Sequence, residues 1–223
     1  MQNLYSLLFC FVPIGLLIFA TGFLIGFVVR NTIRYRLLLS QNRGEASVRN
    51  TIVYNFTSPN FHLLNNITIP FQGGTTQIDH VLVSTKGVFV IETKHYSGWI
   101  FGSEKSDQWT QVLYRIKSRF QNPIHQNYRH VKAIQQMLDF LPKEQIHSIV
   151  VFSGSATFKS SIPNGVIYLS QLVYLLNTFQ EDVISLNRVE FCVGRLECKR
   201  YEISRVTDVQ HCAYLAKKFG DRF

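Results

Sequence analysis

Hydrophobic positions along this chain fall into three kinds of run, and each predicts a different kind of element. Residues 4–29 contain no charged side chain and are dominated by Leu, Ile, Phe and Val. A bilayer is crossed by ~20 apolar residues in a helix, so this stretch predicts one N-terminal transmembrane helix. Pro13, Gly15, Gly22 and Gly26 lie inside it; they weaken a helix in water but are tolerated in lipid. A helical stripe then follows over residues 37–54, with Val48, Ile52 and Val53 as its apolar positions and an interruption at Gly44-Glu45.

Period-two patterns take over next. Residues 61–70 read as a strand, 71–75 as a flexible turn, and 77–84 with 87–94 as a β-hairpin closing on Ser84-Thr85-Lys86-Gly87. A short strand is expected over 98–102 and a longer one over 109–120. Asn122-Pro123 opens a helix to about Phe140 with Ile124, Tyr128, Val131, Ile134 and Leu138 on one side. Two buried strands at 146–152 and 165–169 come next, then helices at 170–177 (capped by Ser170), 189–196 and 207–219. The implied class is α/β: a mixed central β-sheet flanked by helices, preceded by the transmembrane helix. Residues 1–36 form the anchor with its basic flank, and 37–223 the globular domain.

Charge breaks the pattern at one place. Side chains alternate along a strand, so Val88, Val90, Glu92 and Lys94 share a face of the second hairpin strand. Asp79 stands near the start of the first strand, which antiparallel pairing brings beside the end of the second. Charged groups on a strand that packs into a core must be paired or must bind something. Two converging carboxylates call for a counter-charge, and a hard cation such as Mg²⁺, which takes oxygen ligands and keeps waters for a substrate phosphate, meets that need beside Lys94. A surface hairpin with a Glu/Lys pair is the plainer alternative. Elsewhere Arg115, Lys117 and Arg119 alternate along the expected strand, either as protective edge charge or as a phosphate-contacting stripe. Gln126 and His130 are one helical turn apart and able to reach a common site.

Composition adds direction. The chain of 223 residues has 23 Lys and Arg against 14 Asp and Glu, a net charge of +9, which suits nucleic acid or anionic lipid headgroups. Arg30, Arg34, Arg36 and Arg43 follow the apolar segment, so by the positive-inside rule the domain faces the cytoplasm as a single-pass membrane protein. A cleaved secretory signal fits less well, because its charges would precede the apolar run. Gly22 and Gly26 have the GxxxG spacing that lets two anchors pack, an opening to a homodimer. Cys10, Cys192, Cys198 and Cys212 make no CxxC pair and read as thiols rather than a disulfide or zinc framework.

Several stretches taken in order resemble the nuclease-related domain (NERD) family, a branch of the restriction-endonuclease-like PD-(D/E)xK superfamily. They are Gly44-Glu45; Gly73-Gly74-Thr75 with Gln77-Ile78-Asp79-His80; Gly87 through Glu92-Thr93-Lys94; Gly98-Trp99-Ile100; and Asn122-Pro123 with Gln126. The resemblance covers roughly residues 43–139. Ile78 departs from it, standing where the superfamily places a proline before the acid. The resemblance implies a metal-dependent nuclease hydrolysing phosphodiester bonds of DNA or RNA. Glu45, Asp79 and Glu92 would surround Mg²⁺ or Mn²⁺, Lys94 would activate water or stabilise charge, and Gln126 would orient phosphate or water. The alternative is a non-catalytic, membrane-tethered module that binds nucleic acid or protein through the same fold.

Overall fold

A computed structural model of the chain describes residues 43–56 and 59–201, together with the single position 22. The chain divides between Asn42 and Arg43 into two units, and the architecture below is that of the second. The expected transmembrane helix, its basic flank and the helix over 207–219 lie outside the described residues. Among the described residues no helix is long and apolar enough to cross a membrane.

The first helix, α1, covers 43–55. Three antiparallel strands follow, β1 (Phe61–Phe71), β2 (Gly74–Ser84) and β3 (Gly87–Lys94), and then β4 (Gly98–Phe101), β5 (Gln108–Leu113) and β6 (Ile116–Gln121). Helix α2 (Pro123–Met137) leads to β7 (Ile146–Phe152), β8 (Ala156–Phe158) and β9 (Val166–Tyr168), and α3 (Leu172–Asn177) and α4 (Leu186–Lys199) complete the order. The strands form two mixed sheets, not one: a five-stranded sheet β1-β2-β3-β7-β9 and a four-stranded sheet β6-β5-β4-β8.

Turn chemistry sets the meander. Gln72 and Gly73 both take positive φ, 50° and 73°, as the central pair of a two-residue hairpin loop must when its twist matches the strands. The expected five-residue turn thus shrinks to two. The β2–β3 loop is Thr85-Lys86, with Ser84 paired to Gly87 as the pattern predicts. Strand β7 then adds parallel to β3, Glu92 opposite Val150, and α2 supplies the crossover between the two sheets' strands. Val88, Val90, Val131, Ile134, Val189 and Leu196 pack together between the five-stranded sheet and helices α2 and α4. On the other face α1 buries Val48, Ile52 and Phe56 against Leu82, Phe89, Ile91, Ile149 and Val151. Val53 is 56% exposed and is no part of that stripe.

Helix α2 is fixed at two points. Asn122 Oδ1 accepts from the Ile124 N–H at 2.9 Å as N-cap, and its Nδ2 donates to the carbonyls of Ser103, Glu104 and Ser106. Buried Asn127 Nδ2 donates to Val90 O at 2.9 Å and Ile149 O at 3.1 Å, tying the helix to β3 and β7. Three expectations are corrected. The single strand over 109–120 is a hairpin, reversed at Tyr114 with φ 55°. Strand β8 was not anticipated. Ser170 sits inside a short 3₁₀ turn, Leu169–Gln171, and does not cap α3.

Candidate active site

Side-chain alternation along β3 sends Glu92 and Lys94 to the α2 side, and they meet: Lys94 Nζ lies 2.7 Å from Glu92 Oε1. Lys94 Nζ also donates to Gln126 Oε1 at 2.9 Å, from the second turn of α2. One turn further along that helix, His130 Nε2 stands 3.2 Å from Glu92 Oε2. The other ring nitrogen of His130 is 2.8 Å from Thr76 Oγ1 on β2. Asp79, on β2 beside the end of β3, accepts at Oδ2 from the Thr93 N–H at 2.7 Å. The two acids are therefore anchored differently, Glu92 by side chains and Asp79 by backbone.

Glu45 comes from α1, which approaches through a glycine. A Cβ added at Gly44 would stand 2.5 Å from His95 Cβ and 2.8 Å from Ser153 Oγ, so any side chain there forces the helix away from the chain beyond β3 and β7. Asn66, with φ 49°, supplies a side-chain hydrogen bond to Glu45. Asn tolerates that left-handed backbone better than most residues.

Electrostatics separates the three carboxylates. Burial alone would raise Glu92, but the Lys94 ammonium and His130 more than reverse it and hold the group at about 2. Asp79 goes the other way: burial and then the charges of Glu92 and Glu45 push it well above the usual range. Glu45 is raised by burial and by Glu92. Lys94 is raised too; burial opposes its charge, and Glu92 and Asp79 outweigh burial. One firmly ionised acid, one firmly charged lysine and two acids under mutual repulsion thus share one end of the hairpin, a pattern typical of functional sites.

The donor set suits a hard divalent cation. All three acids offer oxygen, the site carries more carboxylates than lysines, and Glu92 Oε2 is buried without a well-aligned hydrogen bond. The acids shift one another's titration, yet among the described residues no three His, Cys, Asp or Glu side chains are gathered to metal-ligand spacing.

Of the sequence-derived residues, Asp79, Glu92, Lys94 and Gln126 are brought together, and Glu45 is coupled to them through its charge. The basic residues are placed elsewhere. Lys117 and Arg119 are exposed on β6, the edge strand of the second sheet, and Arg115 sits in the turn before it. Thr76 and Asn66 were missed; each is an ordinary strand polar residue whose role depends on a partner far along the chain. His130 was foreshadowed only by its spacing from Gln126.

A family model described as nuclease-related domain matches residues 40–153, a span that holds Glu45, Asp79, Glu92, Lys94, Gln126 and His130. An uncharacterised protein of Bacillus anthracis is 34% identical over 167 residues, covering 72% of this chain and 76% of that protein. No solved structure matches the chain. The span matched by the family model runs from the start of α1 through β7, the part of the fold that assembles the site, and by that match this chain belongs to the nuclease-related domain family.

Proposed function

We propose that the chain is a membrane-anchored, divalent-metal-dependent phosphodiesterase acting on nucleic acid. The observation that carries this reading is the meeting of Asp79, Glu92 and Lys94, with Glu92 kept ionised while Asp79 is pushed up by its neighbours. Glu45, Asp79 and Glu92 would hold Mg²⁺ or Mn²⁺. Such a cation, when bound, polarises a phosphoryl oxygen and lowers the pKa of a water.

The chain's own residues divide the remaining work. Lys94 stays protonated at Nζ and faces the charge that builds on a phosphorane-like transition state, a stabilisation that is often the largest contribution in catalysis. Gln126 accepts from Lys94 through Oε1, which fixes the amide plane and turns its NH₂ toward a phosphate oxygen or water. His130, steadied by Thr76, stands 3.2 Å from the second oxygen of Glu92. The Thr93 N–H holds Asp79. Residues 4–29 would span the membrane and the arginines after them would keep the domain on the cytoplasmic side.

A non-catalytic nucleic-acid-binding module with this fold is the second reading, favoured by the absence, among the described residues, of three acids at metal-ligand spacing. Full-length protein in detergent, incubated with end-labelled DNA and RNA in Mg²⁺, Mn²⁺ or EDTA beside Glu92→Ala and Lys94→Ala, decides between them. Metal-dependent cutting lost in both variants is the expected result. Binding without cutting by the wild type under every condition transfers the case to the second reading.

A further inference from the structure

The four-stranded sheet has a face that the proposed chemistry does not use. Residues opposite one another across a ladder point to the same side of a sheet. The registers therefore put Thr157, Trp99, Val112 and Lys117 in one row and Phe101, Thr110 and Arg119 in the next. The opposite, inner face carries Ile100 and Trp109, which pack with Val150 and Phe152 of the large sheet. The outer rows are open: Trp99 is 51% and Phe101 40% exposed, and Lys117 and Arg119 are exposed beside them. Lys159 adds a third cation, its Nζ 5.0 Å from the centre of the Trp99 ring. Strands β4, β5, β6 and β8 contain no Asp or Glu.

We infer that this outer face is a stacking platform for single-stranded nucleic acid, with Trp99 and Phe101 taking bases and Lys117, Arg119 and Lys159 taking phosphates. The inference rests on the nucleic-acid reading above and narrows its substrate to single strands. Two solvent-facing aromatic rings cost hydration unless covered, and the cations around them select a polyanion. Only an unpaired strand offers that polyanion together with accessible ring faces; a duplex keeps its base faces stacked inside. Position agrees. Strand β4 begins four residues after Lys94, so the Lys94 and Trp99 Cα atoms, five residues apart, are separated by at most about 18 Å, within reach of a few nucleotides.

The chain has two tryptophans, and Trp109 is fully buried, so quenching of tryptophan emission by a ligand reports Trp99. The test uses full-length protein in non-ionic detergent with EDTA present, and labelled oligo-dT and oligo-U of about 16 nucleotides, the upper site size of one stacking groove. A duplex of equal length and anionic phosphatidylserine vesicles are run alongside. Both single strands are expected to bind more tightly than duplex and to quench emission at saturation. Trp99→Ala and Phe101→Ala are each expected to weaken single-strand binding about tenfold, with a cooperative unfolding transition retained because neither side chain belongs to the buried core. Lys117→Glu with Arg119→Glu weakens binding to either nucleic acid, and on single strands it lowers the salt slope by about 0.7 for each phosphate that is no longer neutralised.

Wild-type affinity in both aromatic variants, or saturation without quenching, overturns the platform. So does quenching by vesicles but not by oligonucleotides, which makes the face a membrane contact. Cleavage in Mg²⁺ without quenching removes the platform and leaves the phosphodiesterase. Quenching by oligo-dT without cleavage in any metal keeps the platform and removes the catalytic reading.

Discussion

Lys94→Met isolates the interaction at the centre of the site. Methionine keeps the apolar stem and removes the ammonium, so Glu92, 2% exposed, is left to His130 alone. In the folded chain Glu92 sits at about 2 against an ordinary 4.5. That fall means its charge is stabilised in the fold despite burial. Lys94 is its largest favourable source. Breaking a buried pair by removing one partner costs about 3–5 kcal/mol in other proteins, and the residual 14% exposure of Lys94 argues for the lower end. Urea unfolding followed by circular dichroism at neutral pH is therefore expected to show a loss of about 2–4 kcal/mol. Because the folded value of Glu92 lies below the unfolded one, its contribution is complete above about pH 4.5 and disappears as pH falls toward 2. The gap between wild type and variant should close over that window. Adding Glu92→Gln to the variant removes the stranded charge and should restore most of the loss. A deficit below about 1 kcal/mol, or a double variant no better than the single, refutes the pairing argument.

Asp79→Asn keeps an oxygen to accept the Thr93 N–H while removing the charge that Glu92, Glu45 and burial oppose. Without divalent metal it should unfold at higher urea than the wild type, and with Mg²⁺ or Mn²⁺ present it should cut nothing; a lower midpoint contradicts the repulsion. Gly44→Ala should cost about 1–3 kcal/mol through overpacking against His95 and Ser153, and slow cleavage by displacing Glu45. A variant with wild-type melting and turnover shows that the approach of α1 is not tight. Burial holds His80 at about 4, below its unfolded 6.5, so it stays neutral in the fold while the unfolded chain takes up a proton. The His80 contribution alone should then lower stability by on the order of 3 kcal/mol as pH drops from about 6.5 to 4, so a His80→Gln protein should lose less than the wild type across that interval in thermal melts. An equal fall in both assigns the loss elsewhere.

What the sequence revealed was local. Strict alternation with a two-residue loop made the β2–β3 hairpin legible, and it already put Glu92 and Lys94 on one face. The reversal at Tyr114-Arg115 was hidden, because the chain turns there without Gly, Pro, Asn or Asp and a tyrosine takes the left-handed conformation. Strand β8 is three residues long, too short for any period to register. Alternation also says nothing about which ladder a strand joins. Strands β4 to β6 read as an extension of one sheet, and only the packing of Ile100 and Trp109 against Phe152 shows them to be the second layer. The same limit applied to the site. Asp79, Glu92 and Lys94 announced themselves as charges in an apolar hairpin, and Gln126 followed from the family resemblance. Asn66, Thr76 and the hold of His130 on Glu92 depend on contacts between residues far apart along the chain, which no local pattern encodes.

If Glu45, Asp79 and Glu92 are ligands of one divalent cation, calorimetric titration of Mn²⁺ into the full-length protein at neutral pH reads that role directly. One binding site is expected in the wild type, lost in Asp79→Asn and in Glu92→Gln, and kept in Lys94→Met. Absence of Mn²⁺ binding by the folded wild type, or binding that survives both carboxylate substitutions, would contradict the assignment.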